Sequence, residues 1–216
     1  VYVGKKMACR VITARKEDCV RVAAEQLQEH HVRQLPVVEE GRVVGIVTDR
    51  DLRQASSLER LLADRPAERA ELESFLDRTR VEEIMTRPVI TVTPEDTIED
   101  AAKILHDYKI GGLPVVRGER LVGIITSSDV LESFLDVMGM GVPSSRLEVT
   151  VEDRPGQLAE IAQIIRHFQV NIVSLVTAPH PEEIGKKIII LRINTIYPNP
   201  IAEALQEAGF RVQTPC

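Results

Sequence analysis

The sequence predicts an α+β protein: two copies of one small mixed module, then a separate βαββαβ domain. Met7–Leu52 aligns without gaps on Met85–Val130 at a constant offset of 78, with nineteen of 46 positions identical. Such a self-match marks a duplicated unit, and a copy of about 45 residues is too small to bury a good core alone. The pattern breaks at Met138-Gly139-Met140-Gly141-Val142-Pro143-Ser144-Ser145, where Gly and Pro mark a linker. From Arg146 onward the chain does not match the repeat.

Composition supports packed domains and excludes several function classes. The 216 residues are 44% hydrophobic and 28% charged, enough Val, Ile and Leu to bury real cores. A net charge of −6 argues against nucleic-acid binding, which needs clustered Lys and Arg. Three Tyr, four Phe and no Trp leave little for stacking bases. No run approaches the roughly 18 apolar residues of a membrane helix, so no membrane partner is expected. No charged stretch leads into an apolar one near Val1, so no secretory signal is expected; the absence of Met there leaves room for an upstream start. Cys9, Cys19 and Cys216 form no C-x-x-C pair and no even framework, which fits a reduced, cytoplasmic setting.

Each copy opens on an extended segment, Val11-Ile12-Thr13 or Val89-Ile90-Thr91, and a polar turn with Glu17-Asp18 or Pro94-Glu95-Asp96. A helix comes next, its apolar spacing visible in Ala101, Ala102, Ile104 and Leu105. Leu-Pro-Val-Val, a charged turn around Gly41 or Gly118, and an apolar run ending in Gly-Ile-Val-Thr or Gly-Ile-Ile-Thr predict a β-hairpin. A second helix starts near Asp49 or Ser127. The predicted order is strand, helix, strand, strand, helix. Between the copies, Leu58, Leu61 and Leu62, then Leu72, Phe75 and Leu76, show helical spacing either side of Pro66. They predict connecting helices, either solvated or striped for a partner subunit.

Beyond the linker, Leu147, Val149 and Val151 alternate as a strand. Asp153-Arg154-Pro155-Gly156 turns into a helix with Leu158, Ile161, Ala162, Ile164 and Ile165 on its apolar face. Val170–Thr177 and Lys187–Thr195 predict two strands, Pro200–Ala208 a helix and Phe210-Arg211-Val212 a closing strand. This is the split-βαβ plan of a ferredoxin-like domain. The expected boundaries are 1–58 for the first copy, 59–80 for the connector, 81–138 for the second copy, 139–145 for the linker and 146–216 for the last domain.

The Leu-Pro-Val-Val strand and the terminal G-x-x-T-x-x-D of each copy resemble a pair of cystathionine β-synthase (CBS) domains. Asp-Arg-Pro-Gly-Gln-Leu-Ala followed by Asn171-Ile172 resembles an ACT domain. The order CBS, CBS, ACT is similar to the AcuB-type acetoin-utilisation proteins of bacteria. The resemblance implies a cleft for adenosine-type ligands between the CBS modules. Asp51 and Asp129 would accept from ribose hydroxyls, and Thr48 and Thr126 would donate to phosphate at a helix start, where free amides favour anions. Thr13 and Thr91, with Val11 and Val89, would flank the base. Arg50 would add a cation at the first site, where the second copy has Ser128. A second reading of the same residues is N-capping, since Thr or Ser followed by Asp is an ordinary helix start.

For the ACT domain the resemblance implies an amino-acid site at Asp153, Gly156, Gln157, Leu158 and Asn171. Alternatively Asp153 caps the helix, Gly156 serves the turn and Asn171 takes a left-handed backbone. Asp49 and Asp51 lack a third metal ligand, and no pair among His30, His31, His106, His167 and His180 has zinc spacing. The G-x-G of the linker comes after a helix and lacks a third glycine, so it is no dinucleotide loop. No nucleophile elbow, Walker loop or H-E-x-x-H occurs. The expected protein is a non-enzymatic regulator with no catalytic residue, no metal and no required cofactor. An adenine nucleotide or S-adenosylmethionine would act on it as a regulatory ligand. A homodimer or higher homo-oligomer is expected, with a regulated protein as a further partner. The alternative is a ligand-free interaction scaffold.

Overall fold

The repeat folds into two hairpins that share one sheet. The computed structural model describes residues 1–55, 74 and 76–213. The predicted stripe residues Leu58, Leu61, Leu62, Leu72 and Phe75, and Cys216, lie outside the described residues. Leu76 packs against the first copy's core. The chain divides into two compact units, Val1–Leu131 and Glu132–Cys216, the division falling within one helix, Ser127–Val137.

In the first copy α1 (Val20–Glu29) precedes β1 (Gln34–Glu39), β2 (Arg42–Thr48) and α2 (Asp49–Ala55). A short α3 (Val81–Ile84) leads to α4 (Ile98–Tyr108), β3 (Gly112–Arg117), β4 (Arg120–Thr126) and α5 (Ser127–Val137) of the second copy. Glu40 and Gly41, both at positive φ, close the first hairpin with a two-residue turn that suits strand twist. The sheet order is β1-β2-β4-β3. The hairpins join near their turns, where Arg42 faces Arg120 and the Leu121 amide donates to the Gly41 carbonyl at 3.0 Å.

The Val-Ile-Thr segments do not form the first strand the sequence predicts. The residue that follows each makes one parallel bridge, Ala14 to Val37 and Val92 to Val115. The reason is that the chain before them belongs to the other copy. Tyr2 bridges Thr97 and Ala8 bridges Ile124, so residues 1–8 lie on the second copy; Arg80 bridges Cys19 and Thr86 bridges Ile46, so residues 80–86 lie on the first. Val3 is fully buried in the second copy's core and Val81 in the first copy's. A glycine receives each arm: a Cβ on Gly45 would lie 2.2 Å from Met85 Sδ, and one on Gly123 2.5 Å from Met7 Sδ. The copies are therefore interlocked, and each short core is completed by an exchanged arm.

In the C-terminal unit β5 (Ser145–Glu152), α6 (Gln157–His167), β6 (Ile172–Pro179), β7 (Lys186–Ile193), α7 (Asn199–Glu207) and β8 (Arg211–Gln213) give the βαββαβ order. The sheet is antiparallel, in the order β6-β7-β5-β8. Leu147, Val149 and Val151 pack with Leu191, Ile193 and the helix residues Ile161, Ile165, Ile201 and Leu205. The period-2 burial of β5 buries one sheet face under both helices. The predicted inward Leu158 is exposed and Gln157 is buried instead. Gly156, at φ 97, is the N-cap, so Gln157, Ile161 and Ile165 form the inward i, i+4, i+8 row.

Candidate functional site

The arm exchange builds two corresponding clefts inside the N-terminal unit. After Thr86 pairs with Ile46, the chain crosses the end of β2 before Val92 joins the second copy. Pro88, Val89 and Ile90 thereby wall a cavity of about 350 Å3 whose opposite side is Thr48, Arg50 and Asp51. In the same way Arg10, Val11 and Ile12 wall a cavity of about 460 Å3 opposite Thr126, Ser128 and Asp129. These are cleft A and cleft B. Each takes its Thr-Asp turn from one copy and its apolar wall from the other.

The Thr-Asp turns are closed reciprocally. Asp51 Oδ2 accepts from the Thr48 amide at 2.8 Å and from the Thr48 hydroxyl at 2.7 Å, while the Asp51 amide donates to Thr48 Oγ1 at 3.2 Å. Asp129 Oδ2 accepts from the Thr126 amide and hydroxyl, each at 2.7 Å, and its amide donates back at 3.4 Å. Capping is thus realised in both copies, and the hydroxyl that the sequence offers to phosphate donates to the carboxylate. The cap uses one oxygen of Asp51. The helix starts are held to matching carbonyls, Asp49 amide to Arg33 O and Ser127 amide to Gly111 O, each at 3.0 Å.

The clefts differ in charge. Arg33, Arg50, Arg53 and Lys109 face Asp49 and Asp51 in cleft A, with Arg53 ion-paired to Asp49 at 2.7 Å. Cleft B has Arg10 and Arg33 against Asp129, with His31 alongside. Val11 and Val89 line the clefts, but Thr13 and Thr91 do not. Thr13 lies past the crossover and lines a separate depression with Arg15, Asp18 and Glu39; Thr91 does so with Val43, Pro88 and Glu119. The sequence reading missed Arg33, Gln34 and Gly111, which line both clefts. The signal was present: Arg33-Gln34 aligns with Gly111-Gly112, a mismatch directly before the identical Leu-Pro-Val-Val.

In the C-terminal unit, a depression of about 310 Å3 is lined by Glu152, Arg154, Gln157, Glu160, Lys186 and Arg211 among others. Of the five predicted residues only Gln157 belongs to it. Asp153 caps nothing: its carboxylate pairs with Lys187 at 2.7 Å. Gly156 does serve the turn, at positive φ, whereas the left-handed residue near Asn171 is Gln169, at φ 54. The Asn171 carbonyl accepts from the Asn194 amide at 2.9 Å. Beside the depression Glu183 binds Lys186 at 2.8 Å and also pairs with Arg211. The Lys186 hydrogen bond, then that of Arg211, pulls its carboxyl from 4.5 to about 2. Among the described residues no group of three His, Cys, Asp or Glu could hold a metal, and no helix is long and apolar enough to cross a membrane.

Two paired modules with exchanged arms, followed by a βαββαβ unit, define the class of protein: a duplicated-module pair with an appended ferredoxin-like domain. The chain belongs to the CBS domain family, matched at residues 3–58 and 81–136, and carries an ACT domain at residues 145–210. It is 32% identical over 213 residues to an inosine-5′-monophosphate dehydrogenase of Korarchaeum cryptofilum, covering 94% of this chain but only 40% of that protein's length. The CBS pair of protein MJ0100, solved with 5′-methylthioadenosine and S-adenosyl-L-methionine, is 32% identical with a TM-score of 0.51, covering 62% of this chain and 95% of that one. A Vibrio cholerae protein assigned to acetoin utilization (AcuB) is 26% identical with a TM-score of 0.52, covering 65% of this chain and 95% of that one.

Proposed function

We propose that the chain is a non-enzymatic regulatory protein that binds an adenosine-containing ligand, of the AMP, ADP, ATP or S-adenosylmethionine type, in the CBS-pair clefts. The observation that carries this reading is the dual origin of each cleft. A ligand there touches the Thr-Asp turn of one copy and the crossover segment of the other. Its differential affinity for two arrangements of the copies sets how far it can shift them. An ionised carboxylate offers about four lone-pair sites, so Asp51 can hold its cap and still accept from a ribose hydroxyl. The adenosine compounds bound by the MJ0100 pair support the same ligand class. Arg50 supports a preference of cleft A for phosphorylated ligands.

The ACT domain in this reading joins chains into a homodimer or higher homo-oligomer and takes an amino acid near Gly156. The exposed Leu131, Phe134, Leu135 and Val137 of α5 support association. Similarity to the Vibrio protein supports acetoin utilisation as the setting, and the free Cys9 and Cys19 support a cytoplasmic one. A partner protein would receive the signal.

A ligand-free scaffold is the second reading, favoured by one observation: the Thr hydroxyls and one carboxylate oxygen of each turn are already engaged in caps. A thermal-shift panel of adenine nucleotides, S-adenosylmethionine and amino acids separates the two. A ligand at a hundred times its Kd adds about 2.7 kcal/mol and raises the melting temperature. No response to any adenosine compound overturns the sensor. Sedimentation of a 24.1 kDa monomer at tens of micromolar overturns the oligomer.

A further inference from the structure

Gln34 stands where the second copy has Gly112, and the two meet across the pseudo-twofold relation of the modules. The Gln34 residue is 9% exposed. Its amide rests on Gly112, where an added Cβ would lie 1.7 Å from Nε2, so the missing side chain makes room for the amide. Gln34 pairs with Thr48 in the β1–β2 register, lines cleft A and also lines cleft B. Its amide is not sealed off: among the described residues only Gln26 Oε1 is a fully buried side-chain polar atom without a partner, so the Gln34 amide stays reachable from the clefts it lines. A carboxamide at that place offers two donors and one acceptor to whatever enters either cleft. A ligand group with adjacent donor and acceptor would supply both bonds.

We propose that Gln34 is a ligand-binding residue shared by both clefts, its amide pairing with the donor–acceptor edge of the ligand's heterocycle. The inference rests on the proposed binding of adenosine compounds in these clefts. A carboxamide makes a bidentate pair with an adenine edge, using its oxygen and nitrogen together. One amide serving two clefts can make that pair in only one of them at a time. The first ligand therefore takes the amide and the second finds it engaged. The clefts are coupled negatively through one side chain, without any movement of the copies. A second glutamine at position 112 would remove the coupling, but the space is already filled by the first.

Calorimetry with S-adenosylmethionine and AMP on the full chain tests this, using Asp129→Ala to report cleft A and Asp51→Ala to report cleft B. Gln34→Leu is expected to weaken binding roughly tenfold or more in each background, the loss of a bidentate pair. In the parent the second ligand should bind more weakly than it does to a single-cleft chain, and Gln34→Leu should abolish that difference. Gly112→Ala displaces the amide without removing it and should give the same pattern, which keeps the test open if Gln34→Leu misfolds. Should the aspartate variants retain both sites, the two-step isotherms of parent and Gln34→Leu carry the comparison. A loss confined to one cleft, or no loss, overturns the shared role while leaving the sensor reading intact. A parent chain that binds neither compound overturns both.

Discussion

Replacing Asp129 by Ala removes the bonds its Oδ2 accepts from Thr126 and separates capping from ligand binding. Both bonds, from the Thr126 amide and hydroxyl at 2.7 Å, end on Oδ2. Loss of such a cap costs about 1 kcal/mol, toward 2 because the Thr126 amide is left partly buried and unpaired. For a unit of this size that lowers melting by roughly 3–8 °C. If the carboxylate also accepts from a ribose hydroxyl, a charged hydrogen bond of about 1.5–3 kcal/mol is lost as well, and affinity falls roughly ten- to hundredfold. Asp51→Ala should behave alike in cleft A. Denaturant unfolding measures the first effect and calorimetry with S-adenosylmethionine the second. Asp→Asn keeps an acceptor for the cap, so it should recover most of the stability and little of the affinity. Alanine variants that lose stability yet bind as tightly as the parent would show that these aspartates only cap helices.

Gly45→Ala places a Cβ on Met85 Sδ, and such overpacking should destabilise the N-terminal unit by about 1–3 kcal/mol. Met85→Ala clears that space, so unfolding of the double variant should show less than the sum of the two losses. Leu205→Ala empties a fully buried site and should destabilise the C-terminal unit by about 2–5 kcal/mol, with differential scanning calorimetry showing the loss there. Glu183, held at about 2, contributes stability that is present above its ordinary value of 4.5 and lost as pH falls toward 2. Glu183→Gln should flatten the pH dependence of unfolding across that window; an unchanged slope would refute the assigned ion pairs.

What the sequence disclosed was set by neighbours close along the chain. Leu-Pro-Val-Val, the Glu40-Gly41 turn and the alternating Leu147, Val149 and Val151 encode hairpins and strand faces through their own side chains. The Thr-Asp turns were equally legible, because a cap closes within three residues. What remained hidden depends on distant pairing. Nothing local to Val11 shows that Ala8 is held by Ile124, and so the repeat alone could not assign Val11 and Thr126 to one cleft. Leu158 was misplaced because the helix register is set by the backbone of Gly156. Asp153 was offered as a cap because its partner, Lys187, lies on a strand 34 residues away.

The exchanged arms have a consequence for the history and handling of the chain. Val3 and Met7 complete the second copy, and Val81 and Met85 the first, so an arm never serves the module that it directly precedes. The covalent pair is thus equivalent to a swapped dimer whose two subunits have been fused. A lone copy bearing its own arm would leave its core open, and two such copies could satisfy each other only by mutual trade. Trimming residues 1–8 should accordingly injure the half of the pair that lies more than eighty residues downstream, and spare the half to which they are joined.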